Sequence, residues 1–433
     1  GELGQNNQSV AMGYQCGQTS QAPYSVAIGY RSGQHCQGTQ STSLGFQSGM
    51  TSQGSQSVAI GLSAGEMQQK TQSVAIGYEC GQTGQNNQSV AMGHQCGQIS
   101  QGSQSVAIGY EAGKTAQNTE SVAVGYGCGK TGQGASSVAV GYQCGESAQE
   151  WQCVAIGRDA GKTSQMEKSI AVGYKSGEFG QNAQSVAIGY YCGWSAQRPR
   201  SVGVGYSCGV LNQGAQSVAL GFECGNANQG SESVAIGYLA GWCNQDELSV
   251  AIGSMSGQST QGSRSVALGF QSGMTSQKSQ SVAVGCEAGE TSQGRQCVAI
   301  GYLSAQSNQD QQSIAIGTKA GQSSQGSSSV AIGVQAGHVG QNAWSTAVGW
   351  ACGEYRQGEY ASAYGFGAAQ VDQGLRSTAL GYGCGRYVQG AGSVAVGHDC
   401  GYSSQGVECV AMGRAAGGEG QNNYSVAIGY QCG

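Results

Sequence analysis

The chain is poor in charge, in proline and in long apolar runs. Only 9% of its 433 residues are charged, and the net charge is -5. Nucleic-acid recognition normally needs a basic patch or stripe, so this composition argues against a nucleic-acid partner. No stretch of about 18 apolar residues occurs, which argues against insertion into a membrane. The 2 prolines, Pro23 and Pro199, fall at one position of the repeat described next, where a missing N–H is expected to do no harm.

What the sequence does contain is a repeat of 16 residues. Rows of 16 that start at Ser9 give 26 complete rows up to Tyr424, with half rows at 1–8 and 425–433. A typical row, residues 73–88, is SVAIGYECGQTGQNNQ, and we number its positions as columns one to sixteen. No insertion or deletion breaks the register, so every row is expected to occupy the same structural environment.

Columns one to four alternate small and branched residues, which predicts a strand. Val58 and Ile60 are then on one face of that strand, and Ser57 and Ala59 are on the other. Gly in columns five and nine, with Gly, Asn or Asp prevailing in column fourteen, predicts corners that tolerate positive φ. The predicted fold is all-β: a parallel β-solenoid, a flattened β-roll of about 27 stacked coils of 16 residues. We expect one continuous solenoid over 1–433, and leave open that it is a segment of a longer array.

We expect the Val and Ile side chains to form a thin core. A lone coil of this kind buries too little apolar surface to offset the entropy of ordering it. Neighbouring coils and a further chain must supply the rest. The small residues of columns one, three and five would allow another flat surface to approach closely, which predicts lateral association, for example in a homotrimer or a filament.

Two columns are expected to be structural. Column thirteen is Gln in every row and predicts a ladder of side-chain amides, each hydrogen-bonded to the next coil. It includes Gln21, Gln37, Gln53, Gln69 and Gln85. Column eight is always Cys, Ala or Ser and predicts a buried slot for a small side chain. Its cysteines include Cys16, Cys80, Cys96, Cys192, Cys208 and Cys224.

The column-eight cysteines are interpreted first as reduced thiols that fill space. Parallel Cβ atoms about 4.8 Å apart exceed the spacing that disulfides favour, which is about 3.8 Å. Disulfides between coils or between chains are the alternative. Metal binding is not expected, because no row combines Cys with His or carboxylates at ligand spacing.

Column six is mostly aromatic and predicts a stripe of stacked rings. A packing ridge is the first interpretation of this stripe, and a ligand-binding surface is the second. The stripe includes Tyr14, Tyr30, Tyr78, Tyr110, Tyr126, Tyr142, Tyr174, Tyr190, Tyr206 and Tyr238. Residues such as Arg158 and Ser254 in the same column indicate partial exposure. Neither a catalytic group nor a cofactor site can be assembled from the scattered His and Asp residues, so we do not expect an enzyme.

The S-V-A-I-G strand, as in residues 25–29, 185–189 and 425–429, resembles the head repeat of YadA-like trimeric autotransporter adhesins. The resemblance extends over every row and depends on five to six positions in each. It implies a left-handed parallel β-roll, a homotrimer, and attachment to host or matrix proteins at the bacterial surface. The chain departs from that family in its Cys and Gln columns and in lacking a coiled-coil stalk or membrane anchor. A viral or other extracellular fibre built from the same roll is an equal alternative.

We therefore expect a structural or adhesive fibre, outside the cell or on a cell or virion surface, that self-associates laterally or end to end. Candidate ligands are matrix proteins, host surfaces and glycans. The alternative function is an ice-binding solenoid that uses a flat face or the Tyr stripe to order water.

Overall fold

The structure is a computed structural model that describes residues 3–433. These residues form two compact units, one that ends at Gln216 and one over Ser217–Gly433. Both are all-β parallel solenoids with about 16 residues per turn, and the described chain makes about 27 turns without a helix. The predicted fold class is confirmed, whereas a single continuous solenoid over 1–433 stays a prediction. None of the described residues forms a helix long and apolar enough to cross a membrane.

In the first unit, columns two to six form one parallel sheet in which each strand pairs in register with the strand 16 residues away, as in Val90 with Val106. Its strands are Val10–Met12, Val26–Tyr30, Thr42–Phe46, Val58–Ile60, Val74–Tyr78, Val90–His94, Val106–Tyr110, Val122–Tyr126, Val138–Tyr142, Val154–Arg158, Ile170–Tyr174, Val186–Tyr190 and Val202–Tyr206. We call this the first sheet.

Columns eleven to thirteen form a second sheet. In the first unit its strands are Leu3–Gln5, Thr19–Gln21, His35–Gln37, Thr51–Gln53, Thr131–Gln133, Ser147–Gln149 and Thr163–Gln165. Single parallel bridges continue it through other coils, as between Thr83 and Ile99. Both sheets therefore follow the same 16-residue register.

The second unit repeats this arrangement. Its first-sheet strands are Val218–Phe222, Val234–Tyr238, Val250–Ile252, Val266–Leu268, Val282–Val284, Val298–Ile300, Ile314–Ile316, Val330–Ile332, Thr346–Val348, Ser362–Tyr364, Thr378–Tyr382, Val394–His398, Val410–Arg414 and Val426–Tyr430. Its second-sheet strands are Ala227–Gln229, Cys243–Gln245, Ser259–Gln261, Thr275–Gln277, Thr291–Gln293, Ser307–Gln309, Ser323–Gln325, Val339–Gln341, Tyr355–Gln357, Val371–Gln373, Tyr387–Gln389 and Ser403–Gln405.

The interior of a coil holds small side chains and one glutamine. Ser57, Ala59 and Gln69 are fully buried, whereas Val58 and Ile60 are only half-buried. The prediction that Val and Ile form the core is therefore wrong, and so is the prediction that the small-residue face is open to a neighbouring chain. The interior is too narrow for branched side chains, because a Cβ added at Gly65 would lie only 2.8 Å from Oε1 of Gln69.

Positive φ at the corners is not confined to glycine residues. Gly61 in column five has a φ of 126° and Gly65 in column nine has a φ of 55°. Non-glycine residues in columns seven, twelve and sixteen also have positive φ, as at Ser63 and Gln56. The prediction for column fourteen is wrong. A Cβ added there, at Gly54, would meet the carbonyl carbon of Lys70 at 2.5 Å, so close approach of the next coil explains that glycine.

Candidate functional site

Columns two, four and six of the first sheet form an outward surface that we call the apolar face. In one coil of the first unit, Val106 is half-buried, while Ile108 and Tyr110 are 37% and 40% exposed. The in-register ladder places Val122, Val124 and Tyr126 beside them. The only Lys, Arg, Asp or Glu residues in these three columns of the whole sequence are Arg158 and Arg414. The apolar face is thus nearly free of formal charge.

The column-six rings stack on one another. The Tyr110 and Tyr126 rings have centroids 4.9 Å apart and are inclined by 3°. The predicted stripe residues with a stacked ring in an adjacent coil are Tyr14, Tyr30, Tyr78, Tyr110, Tyr126, Tyr142, Tyr174, Tyr190, Tyr206 and Tyr238. Of these, Tyr174 is half-buried and the others are exposed. The stripe is therefore an ordered part of the surface, as stacked aromatic pairs favour.

Arg158 continues the stack where the ring is missing. Its guanidinium carbon lies 5.6 Å from the Tyr142 ring centroid and 5.7 Å from that of Tyr174. Both distances suit a cation–π contact. In the first unit the stack consequently runs without a break from Tyr78 to Tyr206.

In the second unit the stripe is shorter. Ser254, Cys286 and Thr318 occupy column six in the middle of this unit, and stacking resumes at Trp350 and Phe366, whose ring centroids are 4.4 Å apart. The two units thus present the same apolar columns with different aromatic content.

The column-thirteen glutamines lie inside the coils. Gln69 Nε2 donates to the Val58 carbonyl at 2.9 Å, and Gln53 Nε2 donates to Gln69 Oε1 at 3.2 Å. Among the five predicted glutamines, Oε1 of Gln21, Gln37 and Gln85 has no hydrogen-bond partner within the described residues. The ladder is continuous only in the second unit, from Gln229 to Gln389, with donor–acceptor distances of 3.0–3.3 Å. This position inside the coil leaves no surface for a ligand.

The six column-eight cysteines predicted from the sequence to fill a small slot are buried. Relative exposure is 5% for Cys16 and 0% for Cys80, Cys96, Cys192, Cys208 and Cys224. The Cys80 thiol donates to the carbonyl of Gly93 at 3.1 Å, and the Cys96 thiol to that of Gly109 at 3.0 Å. All 18 cysteines are thiols in the structure. Burial raises the pKa of Cys352 to about 11, so that thiol stays protonated at neutral pH.

A charged strip that sequence reasoning missed lies beside the first sheet in columns seven and ten. The Glu111 carboxylate is 2.7 Å from Nζ of both Lys114 and Lys130. The hydrogen bonds from these two lysines, first Lys114 and then Lys130, lower the pKa of Glu111. The sequence contained this signal, because Lys114 and Lys130 are one coil apart in column ten and Glu111 lies three residues before Lys114. The strip separates the apolar face from the second sheet.

Comparison with protein families bears on the repeat. A family model for the YadA head domain repeat matches residues 100–127, in two copies. No curated protein matches the chain significantly. The matched family comprises adhesin-like surface fibres, and the match and the solenoid fold are typical of structural and adhesin proteins. The resemblance inferred from the S-V-A-I-G strand is thus confirmed, since residues 100–127 match two copies of the YadA head domain repeat.

Proposed function

We propose that the chain is a structural or adhesive fibre protein of a cell or virion surface that associates with further copies of itself through the apolar face. The observation that supports this most is the apolar face itself. Contiguous exposed apolar patches of more than a few hundred Å² generally mark interaction sites, and this one recurs in every coil. The proposal assigns no enzymatic activity. Matrix proteins, host surfaces and glycans are the ligands we propose for the assembled fibre.

A second copy of the same chain is the occupant we favour for the apolar face. Two solenoids with the same period have the same rise per coil, about 4.8 Å, so their columns can match coil for coil over a long contact. The near absence of charge in columns two, four and six removes electrostatic repulsion between identical faces. Three copies that turn this face toward a common axis would bury it fully, so a trimer is the assembly we propose.

The test is the mass of the protein in solution with charged residues introduced on one face. Ile108 and Ile188 lie in column four of the apolar face and are 37% and 38% exposed. Ile99 and Leu211 lie in column eleven of the second sheet and are 45% and 40% exposed. Light scattering after size exclusion should give an oligomer for the native chain and for an Ile99→Lys, Leu211→Lys control. The Ile108→Lys, Ile188→Lys variant should be monomeric.

Circular dichroism must show that both variants keep their β-structure. A native chain that is monomeric at all concentrations would overturn the proposal, and so would an oligomer that persists in the Ile108→Lys, Ile188→Lys variant.

Ice binding is a second candidate because the same face repeats similar residues in register from coil to coil. Its in-register ladder repeats Val90, Val106 and Val122 at constant spacing, which is the kind of surface that could order water. Thermal hysteresis in the native protein, lost in the Ile108→Lys, Ile188→Lys variant, would support this function, and no hysteresis would eliminate it.

A further inference from the structure

Cysteines in column eight recur in neighbouring coils. Sγ of Cys384 and Sγ of Cys400 are only 2.9 Å apart, well inside van der Waals contact of two unbonded sulfur atoms. The same column places thiols in neighbouring coils three more times in the first unit, close enough for one thiol of each pair to shift the pKa of the other. These pairs are Cys80 with Cys96, Cys128 with Cys144, and Cys192 with Cys208. The arrangement is a recurrent feature of the interior.

The backbone geometry suits a covalent link. The strands that precede Cys80 and Cys96 pair in register from Val74 with Val90 onward, so equivalent Cα atoms in adjacent coils are about 4.8 Å apart. That separation lies within the range found for disulfides, about 4.4–6.8 Å. Parallel Cβ atoms are wider apart than a disulfide favours, but the sulfur atoms of Cys384 and Cys400 already converge.

We propose that Cys80 with Cys96, Cys128 with Cys144, and Cys384 with Cys400 form disulfides between neighbouring coils when the chain folds in the presence of a small disulfide such as oxidised glutathione. The thiolate of one cysteine attacks the glutathione disulfide, which releases one glutathione and leaves a mixed disulfide. The thiolate of its partner then attacks the cysteine sulfur of that mixed disulfide and expels the second glutathione. Two cysteine thiols are thus oxidised, glutathione disulfide is reduced, and the two protons that the cysteines lose are taken up by the two glutathione thiols that form.

The disulfides form while the chain is folding and not after the coils have closed. Cys80, Cys96, Cys128 and Cys144 are all fully buried, so glutathione reaches them only before the neighbouring coil has closed over them. Each bond closes a loop of 16 residues along the sequence and so restricts the unfolded chain. Oxidising compartments and the cell exterior, where we place this protein, are where such bonds persist.

The same column supplies internal controls. Cys352 is equally buried, but Ala336 and Ala368 occupy column eight in the coils on either side of it. Cys16 has Ser32 at the next equivalent position. Neither has a cysteine in column eight of the neighbouring coil, so both should remain thiols under conditions that oxidise the pairs.

The experiment is refolding of the full chain with reduced and oxidised glutathione, followed by unfolding, alkylation and peptide mass spectrometry without reductant. The three pairs should lose two hydrogen atoms each and escape alkylation, while Cys16 and Cys352 should be alkylated. A Cys80→Ala variant, which matches the natural Ala64 and Ala112, should leave Cys96 alkylated and the other two pairs unchanged. A Cys352→Ala variant should change no disulfide.

Circular dichroism establishes that the refolded material is folded. Alkylation of Cys80 and Cys96 to the same extent as Cys352 would overturn the proposal, as would disulfides that join Cys352 to any of the pairs. The readout does not depend on self-association, so its failure and failure of the fibre proposal can be told apart.

Discussion

The side-chain amide of Gln277 donates a hydrogen bond to Oε1 of Gln293 at 3.0 Å in the interior of the second unit. Gln293 in turn donates to Oε1 of Gln309 at 3.1 Å and to the Val282 carbonyl at 2.9 Å. Both amide protons and the amide oxygen of Gln293 are thus satisfied away from water. A polar residue can fill the core of this fold because its hydrogen bonds are completed by the coils on either side.

Gln293→Leu should destabilise the second unit strongly. The substitution keeps a similar volume but leaves the Val282 carbonyl, an amide proton of Gln277 and Oε1 of Gln309 buried without their partner. Each orphaned group costs about 1–3 kcal/mol, so we expect a loss of roughly 3 kcal/mol or more. Guanidinium unfolding and hydrogen exchange of the neighbouring coils would measure it.

The matched control for that prediction is Gln296→Leu. Gln296 is exposed in column sixteen and bonds Gln280 and Gln312 in the adjacent coils, and column sixteen already holds a leucine at Leu248. The free energy of unfolding of the Gln296→Leu variant should stay within about 0.5 kcal/mol of the native value, as is usual for surface substitutions. Equal effects of the two substitutions would contradict a structural role for the buried ladder.

Gly109→Ala should prevent folding of the first unit or destabilise it by more than about 4 kcal/mol, which marks an exceptional substitution. Gly109 has a φ of 129°, and an added Cβ would lie against the carbonyl oxygen of Gly125 in the next coil. Gly180→Ala is the control, because Gly180 has a φ of 66° and nothing within 4 Å of the added Cβ. It should cost only about 1–2 kcal/mol for the left-handed backbone. Soluble yield and circular dichroism would compare the two, and a folded Gly109→Ala protein as stable as the control would refute the prediction.

The repeat and the parallel stack could be predicted because they depend only on the period and on alternation within one row. Which face of each strand points into the coil could not be predicted, because alternation defines two faces without indicating which of them is buried. Branched residues normally favour the interior, which led to the wrong core. The signal that was missed is the variation in side-chain size within a column. Column four holds side chains as different in size as those of Val284 and Tyr364, whereas column three is Ala in every row except those of Ser43 and Gly203. A packed position tolerates little change in volume.

The candidate site, like the fold, could be predicted only in part from the sequence. Column six was visible as an aromatic stripe, and its stacking follows from the period. The apolar face was missed because Val and Ile were assigned to the core. The presence of Arg158 in column six indicated from the sequence alone that this column is exposed, whereas the position of its guanidinium between two rings is seen only in the structure.

Acid should weaken the first unit through Glu111. The pKa of Glu111 is lowered in the folded protein by Lys114 and Lys130, so the carboxylate stabilises the fold above its unfolded pKa of about 4.3. That contribution is lost as the pH falls through the lower, folded pKa. The unfolding midpoints of the native chain and of Glu111→Gln should differ at pH 6 and converge below about pH 4.

Glu120→Gln is the control for this pH dependence. The Glu120 carboxylate accepts a hydrogen bond from the Ser136 hydroxyl at 3.1 Å on an exposed part of the surface. Its substitution should change the unfolding midpoint little, because surface substitutions usually stay within about 0.5 kcal/mol. A pH-independent effect of Glu111→Gln would show that packing, and not charge, accounts for its contribution.

Replacing Arg158 separates its charge from its place in the stack. Arg158→Ala removes the contacts to the rings of Tyr142 and Tyr174, and exposed cation–π contacts are worth about 0.5–1 kcal/mol each, so a loss of about 1 kcal/mol is expected. Arg158→Tyr restores a ring between two rings and should recover that loss, because every other coil from Tyr78 to Tyr206 has a ring in this column. Denaturant unfolding measures the stability, and near-ultraviolet circular dichroism reports the tyrosine environment. If Arg158→Tyr is no more stable than Arg158→Ala, continuity of the stack contributes nothing, and the stripe is only a row of independent side chains.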